Sequence, residues 1–182
     1  MANNRQINLD SKDFLVLLQL AVASSDQMRS YAILAASLAM SPSQVHASVK
    51  RLQQAKLLVG DGLKGKVNRD ALQDLTIHGA KWIFPPVFGR PTRGIPTGAA
   101  SPRFASNLIP SKQMEDIWVW PSPEGKVRGI SLEPIYPSVI QAVGAQPRLH
   151  EALVHFDALR AGKVREREVA ERYFKELFQW RS

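Results

Sequence analysis

Cysteine is absent from all 182 residues, which removes disulfides, thiolate zinc sites, iron–sulfur clusters and thiol nucleophiles together. Long apolar runs are missing as well. A run such as Phe14 to Leu18 is far short of the roughly 20 residues that a bilayer-crossing helix needs, so no membrane association is expected. No basic-then-apolar leader with a small-residue cleavage site opens the chain, and the expectation is a soluble, cytoplasmic protein. Neither an internal repeat nor a low-complexity tract is found. With 45% hydrophobic and 22% charged residues, the composition excludes a disordered or fibrous chain. The length suffices for one large or two small domains with a buried core.

One sign of charge is also missing locally. Between Thr76 and Met114 there is no acid at all. The formal net charge of +8 sits entirely in the middle of the chain. Residues 41–114 hold eleven basic side chains against Asp61, Asp70 and Asp74, whereas residues 1–40 and 115–182 each balance to zero. A solubility bias would be spread along the chain. An excess confined to one stretch is the footprint of a polyanionic partner.

The first third reads as helices. Asp10 or Ser11 can cap a helix whose Phe14, Leu15, Leu17, Leu18, Ala21 and Val22 recur at helical spacing. After a polar break at Ser24, Ser25 and Asp26, a short second helix starts near Ser30 and turns Ile33, Leu34 and Leu38 inward. A third should run from Pro42 to about Lys56. Ser41 can cap it, Pro42 takes its first position, and Gln44 can reach back to complete a capping box. LLVGDGLKGKV, residues 57–67, has the apolar–glycine–apolar form of a hairpin. Asn68 can cap a fourth helix through Leu72, Leu75 and Ile77, closed by Gly79. Six prolines and three glycines in residues 85–110 argue against regular helix or a central strand and for a long ordered loop or arm.

In the last third, Ile117–Trp120 and Val127–Leu132 flank the turn sequence PSPEG (121–125) and read as a second hairpin. Two helices, about Pro147–Arg160 and Glu166–Trp180, follow, the last with Val169, Tyr173, Leu177 and Trp180 on one face and an alternation of Glu and Arg that marks a solvated surface. Trp82, Phe84, Val87 and Phe88 are expected to pack. Trp118, Trp120, Tyr136, Phe156 and Trp180 are expected to form the C-terminal core. The architecture expected is α+β: a helix-turn-helix unit with its hairpin over 1–79, a basic proline- and glycine-rich arm over 80–114, and a hairpin-plus-helices part over 115–182 for dimerisation or partner binding.

Two short helices, a tight turn, a capped third helix and a glycine-tipped hairpin make a winged helix-turn-helix pattern. At 100° per residue, Val45, Val49 and Leu52 share the inner face of the third helix and would pack on Leu34 and Leu38. The opposite face carries Ser43, Ala47, Lys50 and Gln54, flanked by Gln44, His46 and Arg51, with no carboxylate on it. Small side chains allow close approach to a major groove, and polar ones read base edges. Ser41 and the helix N-terminus can hold a phosphate. Lys64 and Lys66 on the wing, with Arg69 just beyond it, lie where they could touch the neighbouring backbone.

SYAILAASLAMSPSQVHASVKRLQQAKLLV, residues 30–59, resembles the winged helix-turn-helix of bacterial MarR-like regulators, over roughly residues 10–78. Ala35 matches the small residue where the family's two helices cross. Ser41, Gln44, Val45, Val49, Arg51 and Leu52 match its recognition helix. Ala39 stands where the family usually has glycine in the turn, and Lys56 where it commonly has glycine before the wing. The resemblance implies double-stranded DNA as partner and a homodimer. FPPVFGRPTRGIPTGAASP, residues 84–104, is similar to the proline-rich middle of winged-helix regulators encoded beside nucleotidyltransferase toxins, which implies an antitoxin or autorepressor role.

Other chemistry finds little support. Gly60, Gly65 and Lys66 have the spacing of a phosphate-binding loop, but Val67 stands where the magnesium-ligating Ser or Thr must be. His46, His78, His150 and His155 are too scattered for a metal motif. Glu166 and Glu168 lie among arginines, a poor place for general acid work. No cofactor, metal or enzymatic activity is expected. Arg90, Arg93 and Arg103, with Phe88 and Phe104, could follow a phosphate backbone.

The expectation is therefore a sequence-specific duplex-DNA regulator, acting as a repressor or autoregulator. Its candidate DNA contacts are Ser41, Ser43, Gln44, His46, Ala47, Lys50, Arg51, Gln54, Lys64, Lys66, Arg69, Arg90 and Arg93. Two alternatives stand beside it: an antitoxin or adaptor gripping a protein partner through residues 115–182, and a binder of single-stranded or structured nucleic acid using the arginine-rich arm.

Overall fold

The computed structural model describes residues 6–23, 30–104 and 117–178. Helix α1 (Ser11–Val22) is capped by Asp10, whose backbone N–H in turn donates to the Asp13 carboxylate at 2.9 Å. Phe14 to Leu18 and Gln19 are all buried. A helix that is apolar on nearly every side needs neighbours on every side, and α1 has them. It packs against α3 (Pro42–Gln54) on one flank and α7 (Pro147–Ala161) on another. One hydrophobic cluster therefore runs from Phe14 to Phe178, with the Phe14 ring 4.9 Å from that of Phe156.

Helix α2 (Tyr31–Ser37), capped by Ser30, turns Leu34, Ala35 and the adjoining Leu38 onto α3. Ile33, expected inward, is 51% exposed. In so short a helix only one stripe meets a partner, and Ile33 lies beside it. Both α2 and α3 end the same way. After α2, the N–H of Ala39 bonds to the Ala36 carbonyl and that of Met40 to the Ala35 carbonyl; after α3, Lys56 bonds to Gln53 and Leu57 to Leu52. These are Schellman closures, which need a left-handed residue at the first position past the cap. Ala39 (φ 50°) and Lys56 (φ 61°) supply it, the two non-glycine residues with positive φ among those described.

Strands β1 (Leu58–Val59) and β2 (Lys66–Val67) form a short antiparallel hairpin, and Asn68 caps α4 (Arg69–Asp74). The expected stop at Gly79 does not occur. The helix widens into a π-turn over Leu75–Gly79 and resumes as α5 (Ala80–Ile83). The Thr76 hydroxyl donates to the Leu72 carbonyl at 2.7 Å inside this turn, a bond that competes with the regular ladder. Gly79 keeps a right-handed backbone, and buried Ala80 carries the helix onward through packing.

Over its described residues the proline-rich stretch is built around a strand rather than a loop or arm, while residues 105–110 lie outside those described. β3 (Phe88–Thr97) is the longest strand of a three-stranded closed barrel, antiparallel to both β4 (Trp118–Pro121) and β5 (Val127–Leu132). Its prolines sit where a strand tolerates them. Pro91 adjoins a register shift, and Pro96 lies beyond Gly94, where β5 pairing has ended and only β4 is opposite. The expected second hairpin is also corrected. β4 and β5 run parallel to each other, pairing Trp118 with Ile130 and Val119 with Ser131, because both lie antiparallel along β3. Closure at this radius brings backbone onto backbone. A Cβ on Gly94 would strike the Trp120 carbonyl.

The barrel is tied to the helices by one buried carboxylate. Asp157 on α7 accepts hydrogen bonds from Thr97 Oγ1 (2.6 Å), Trp120 Nε1 (2.7 Å) and Arg160 Nε (2.8 Å), and Arg160 reaches the Glu133 carbonyl. A short α6 (Val139–Ala142) precedes α7. The final helix, α8 (Val164–Phe178), buries Ala170, Phe174 and Phe178, so its core stripe lies one residue on from the expected one; Trp180 lies outside the described residues. Trp120 and Phe156 are core, whereas Trp118 and Tyr136 are half-buried. Trp82 (76%), Val87 and Phe88 are exposed rather than packed, and only Phe84 of that group turns inward.

Candidate nucleic-acid interface

Val45, Val49 and Leu52 are fully buried and fix one side of α3 against Leu34 and Leu38. Its N-terminus is closed by a reciprocal pair: Ser41 Oγ accepts from the Gln44 N–H at 3.3 Å, and Gln44 Oε1 accepts from the Ser41 N–H at 3.0 Å. Gln44 Nε2 then donates to the Tyr136 hydroxyl at 3.3 Å, joining α3 to the segment after β5. At the other end, Gln53 Nε2 donates to the Gly60 carbonyl at 2.6 Å and holds the hairpin against the helix.

Ser41, Ser43, His46, Lys50 and Gln54 are exposed along the outer face of α3, with Ala47 half-buried between them. The His46 ring meets the Tyr31 ring edge-on at 5.0 Å, which orients it. Lys64 and Lys66 are exposed on the hairpin, and Arg69 opens α4 half-buried. α3 itself carries no carboxylate, but exposed Asp61 of the hairpin lies within electrostatic reach of Tyr31, the ring that meets His46, and exposed Asp70 follows Arg69.

Arg51 differs from the rest. Its guanidinium donates to Asp13 through Nε (2.7 Å) and Nη2 (2.6 Å), a two-pronged pair with a fully buried carboxylate. That bond raises its already high pKa and commits the side chain to positioning α3 on α1. Arg90 and Arg93 also part from the set, since they are carried by β3 of the barrel. Arg103 is exposed, while Phe104 is buried against the His155 ring.

Two residues escaped sequence reasoning. Tyr136 joins the α3 surface through Gln44 across 92 positions, and Arg128 stands directly opposite Arg93. Neither has a local signature. Behind α3, an apolar cavity of about 340 Å³ lies between Phe14, Leu17, Leu52, Leu57, Leu75 and Phe84, among others. Among the described residues no cluster of His, Asp or Glu could hold a metal, and no helix is long and apolar enough to cross a membrane. No known family, curated protein or solved structure matches the chain.

Proposed function

We propose that the chain is a sequence-specific duplex-DNA regulator of the winged helix-turn-helix type, with α3 as recognition helix and the β1–β2 hairpin as wing. The observation that carries this reading is the outer face of α3. Polar and basic groups of small to moderate size stand there without a carboxylate, on a helix locked by its cap, by Asp13 and by three buried aliphatics. That is the combination major-groove readout needs. The left-handed Ala39 and Lys56 add weight, because they fall where MarR-like proteins usually carry glycine. As a homodimer the protein would occupy two half-sites one or two helical turns apart and repress by blocking a promoter.

The adaptor reading has less behind it. Ala170, Phe174 and Phe178 of α8 are spent on the protein's own core, and the outer face left to a partner is mostly charged.

The test is fluorescence anisotropy on duplexes from the gene's own upstream region against scrambled duplex at near-physiological salt. A specific regulator should prefer the upstream DNA by about a hundredfold or more. Lys50→Ala should weaken binding and lower the salt slope by about one. Equal, salt-fragile binding to both duplexes would instead favour a protein partner.

A further inference from the structure

Arg93 on β3 and Arg128 on β5 are direct cross-strand partners, and both are exposed. Like charges placed opposite one another in a sheet repel and destabilise it. Among the described residues no carboxylate pairs with either. The three strands of the barrel contain three arginines and no carboxylate. Glu124 in the turn and Glu133 past β5 flank them in sequence, yet no ion pair joins either to Arg90, Arg93 or Arg128 among the described residues.

The register says what else shares this face. Paired residues point the same way, and so do residues two apart. Beside Arg93–Arg128 lies the pair Pro91–Ile130, and Ile130 is in turn partnered by Trp118 of β4. The Trp118 ring sits 5.5 Å from that of Phe88, which is 46% exposed. Cations therefore stand on the barrel surface at Arg93 and Arg128, and one exposed ring, Phe88, lies further along β3 against half-buried Trp118.

We propose that this face is a second nucleic-acid site, separate from α3, which takes a short single strand. Phosphates would settle between Arg93 and Arg128 and relieve the repulsion that the sheet otherwise carries. A base would stack on Phe88, which Trp118 backs, and only an unstacked base can reach it. A stacked duplex offers the arginines its phosphates but has nothing to give the ring, so Phe88 argues for a single strand.

The test uses the full chain with fluorescein-labelled oligothymidylate at moderate salt. Arg93→Thr, Arg128→Thr and Phe88→Ala should each weaken binding by about tenfold, and each by clearly more than Lys50→Ala does. Because one of two repelling charges is gone, Arg93→Thr and Arg128→Thr should also melt no lower than the parent, which separates lost binding from lost folding. Three outcomes overturn the proposal. Lys50→Ala could abolish oligothymidylate binding, making α3 the one surface. Unlabelled duplex of equal length could compete as well as oligothymidylate. Polyglutamate could compete equally, leaving a patch that accepts any polyanion. Duplex binding through α3 is read separately and can stand or fall by itself.

Discussion

Arg51 on α3 grips Asp13 on α1 through two hydrogen bonds of 2.7 and 2.6 Å, and the same carboxylate accepts the backbone N–H of Asp10. One buried acid thus closes the start of α1 and sets the position of α3, the helix proposed to read DNA. Arg51→Ala would leave that carboxylate buried and unpaired, a loss of about 3 kcal/mol. Arg51→Lys keeps the charge without the fork and should recover only part of it. Urea denaturation measures both. A change within experimental error for Arg51→Ala would mean that the pair does not anchor α3.

Ala39 and Lys56 hold left-handed backbones at about 1–2 kcal/mol each. Glycine removes that strain but adds roughly 0.5–1 kcal/mol of chain entropy to the unfolded state. Ala39→Gly and Lys56→Gly should therefore each stabilise by about 0.5–1 kcal/mol, raising the melting temperature by roughly 1–4 °C in a chain of this size. Calorimetry of the two variants decides it, and a lower melting temperature in both would contradict the two helix closures.

His155 is buried, its ring stacked parallel on Tyr173 at 5.6 Å, and neither ring nitrogen has a hydrogen-bond partner among the described residues. Burial pushes its pKa down to about 4. The His150 pKa is also lowered to about 4, by burial first and then by the charge of Arg103. A histidine whose folded pKa is depressed is easier to protonate unfolded. Its contribution is present above the ordinary value near 6.5 and is lost as pH falls towards 4. Stability should therefore drop by up to about 1.4 kcal/mol per pH unit for His155 in that window. His155→Phe should flatten the profile below pH 6 and leave stability at pH 8 equal or higher. An unchanged slope would rule His155 out as its source.

Asp157 gathers β3, β4 and α7 onto one carboxylate. Asp157→Ala leaves the Arg160 guanidinium buried without its acid, which should cost about 3–5 kcal/mol and alter the near-ultraviolet signal of Trp120. Thr97→Val removes only one neutral donor and should cost about 1 kcal/mol. If the two losses were equal, the network would not be centred on Asp157.

The caps at Ser41 and Asn68, a cap for α1 at Asp10 or Ser11, and the two faces of α3 were legible in the chain, although α3 ends at Gln54 rather than near Lys56. α1 was found as a helix but read as one-sided, since a period reports which residues are apolar and not how many neighbours surround them. The barrel was missed outright. Pro91 and Pro96 argue against a central strand only until the register shift and the one-sided pairing around them are known. The exposed rings of Trp82 and Phe88 were read as core for a related reason: side-chain hydrophobicity carries no record of whether a partner surface is present.

Local order was thus written in residues no more than about four positions apart, where a serine meets the N–H three residues on or a valine recurs each turn. Sequence settles such features because both partners are already held near each other by the chain. Asp13 with Arg51, Gln44 with Tyr136, Arg93 with Arg128 and Asp157 with Thr97 and Trp120 are separated by dozens of residues. Their meeting depends on strand register, barrel closure and helix packing, which are properties of the whole folded chain and leave no trace at either residue alone.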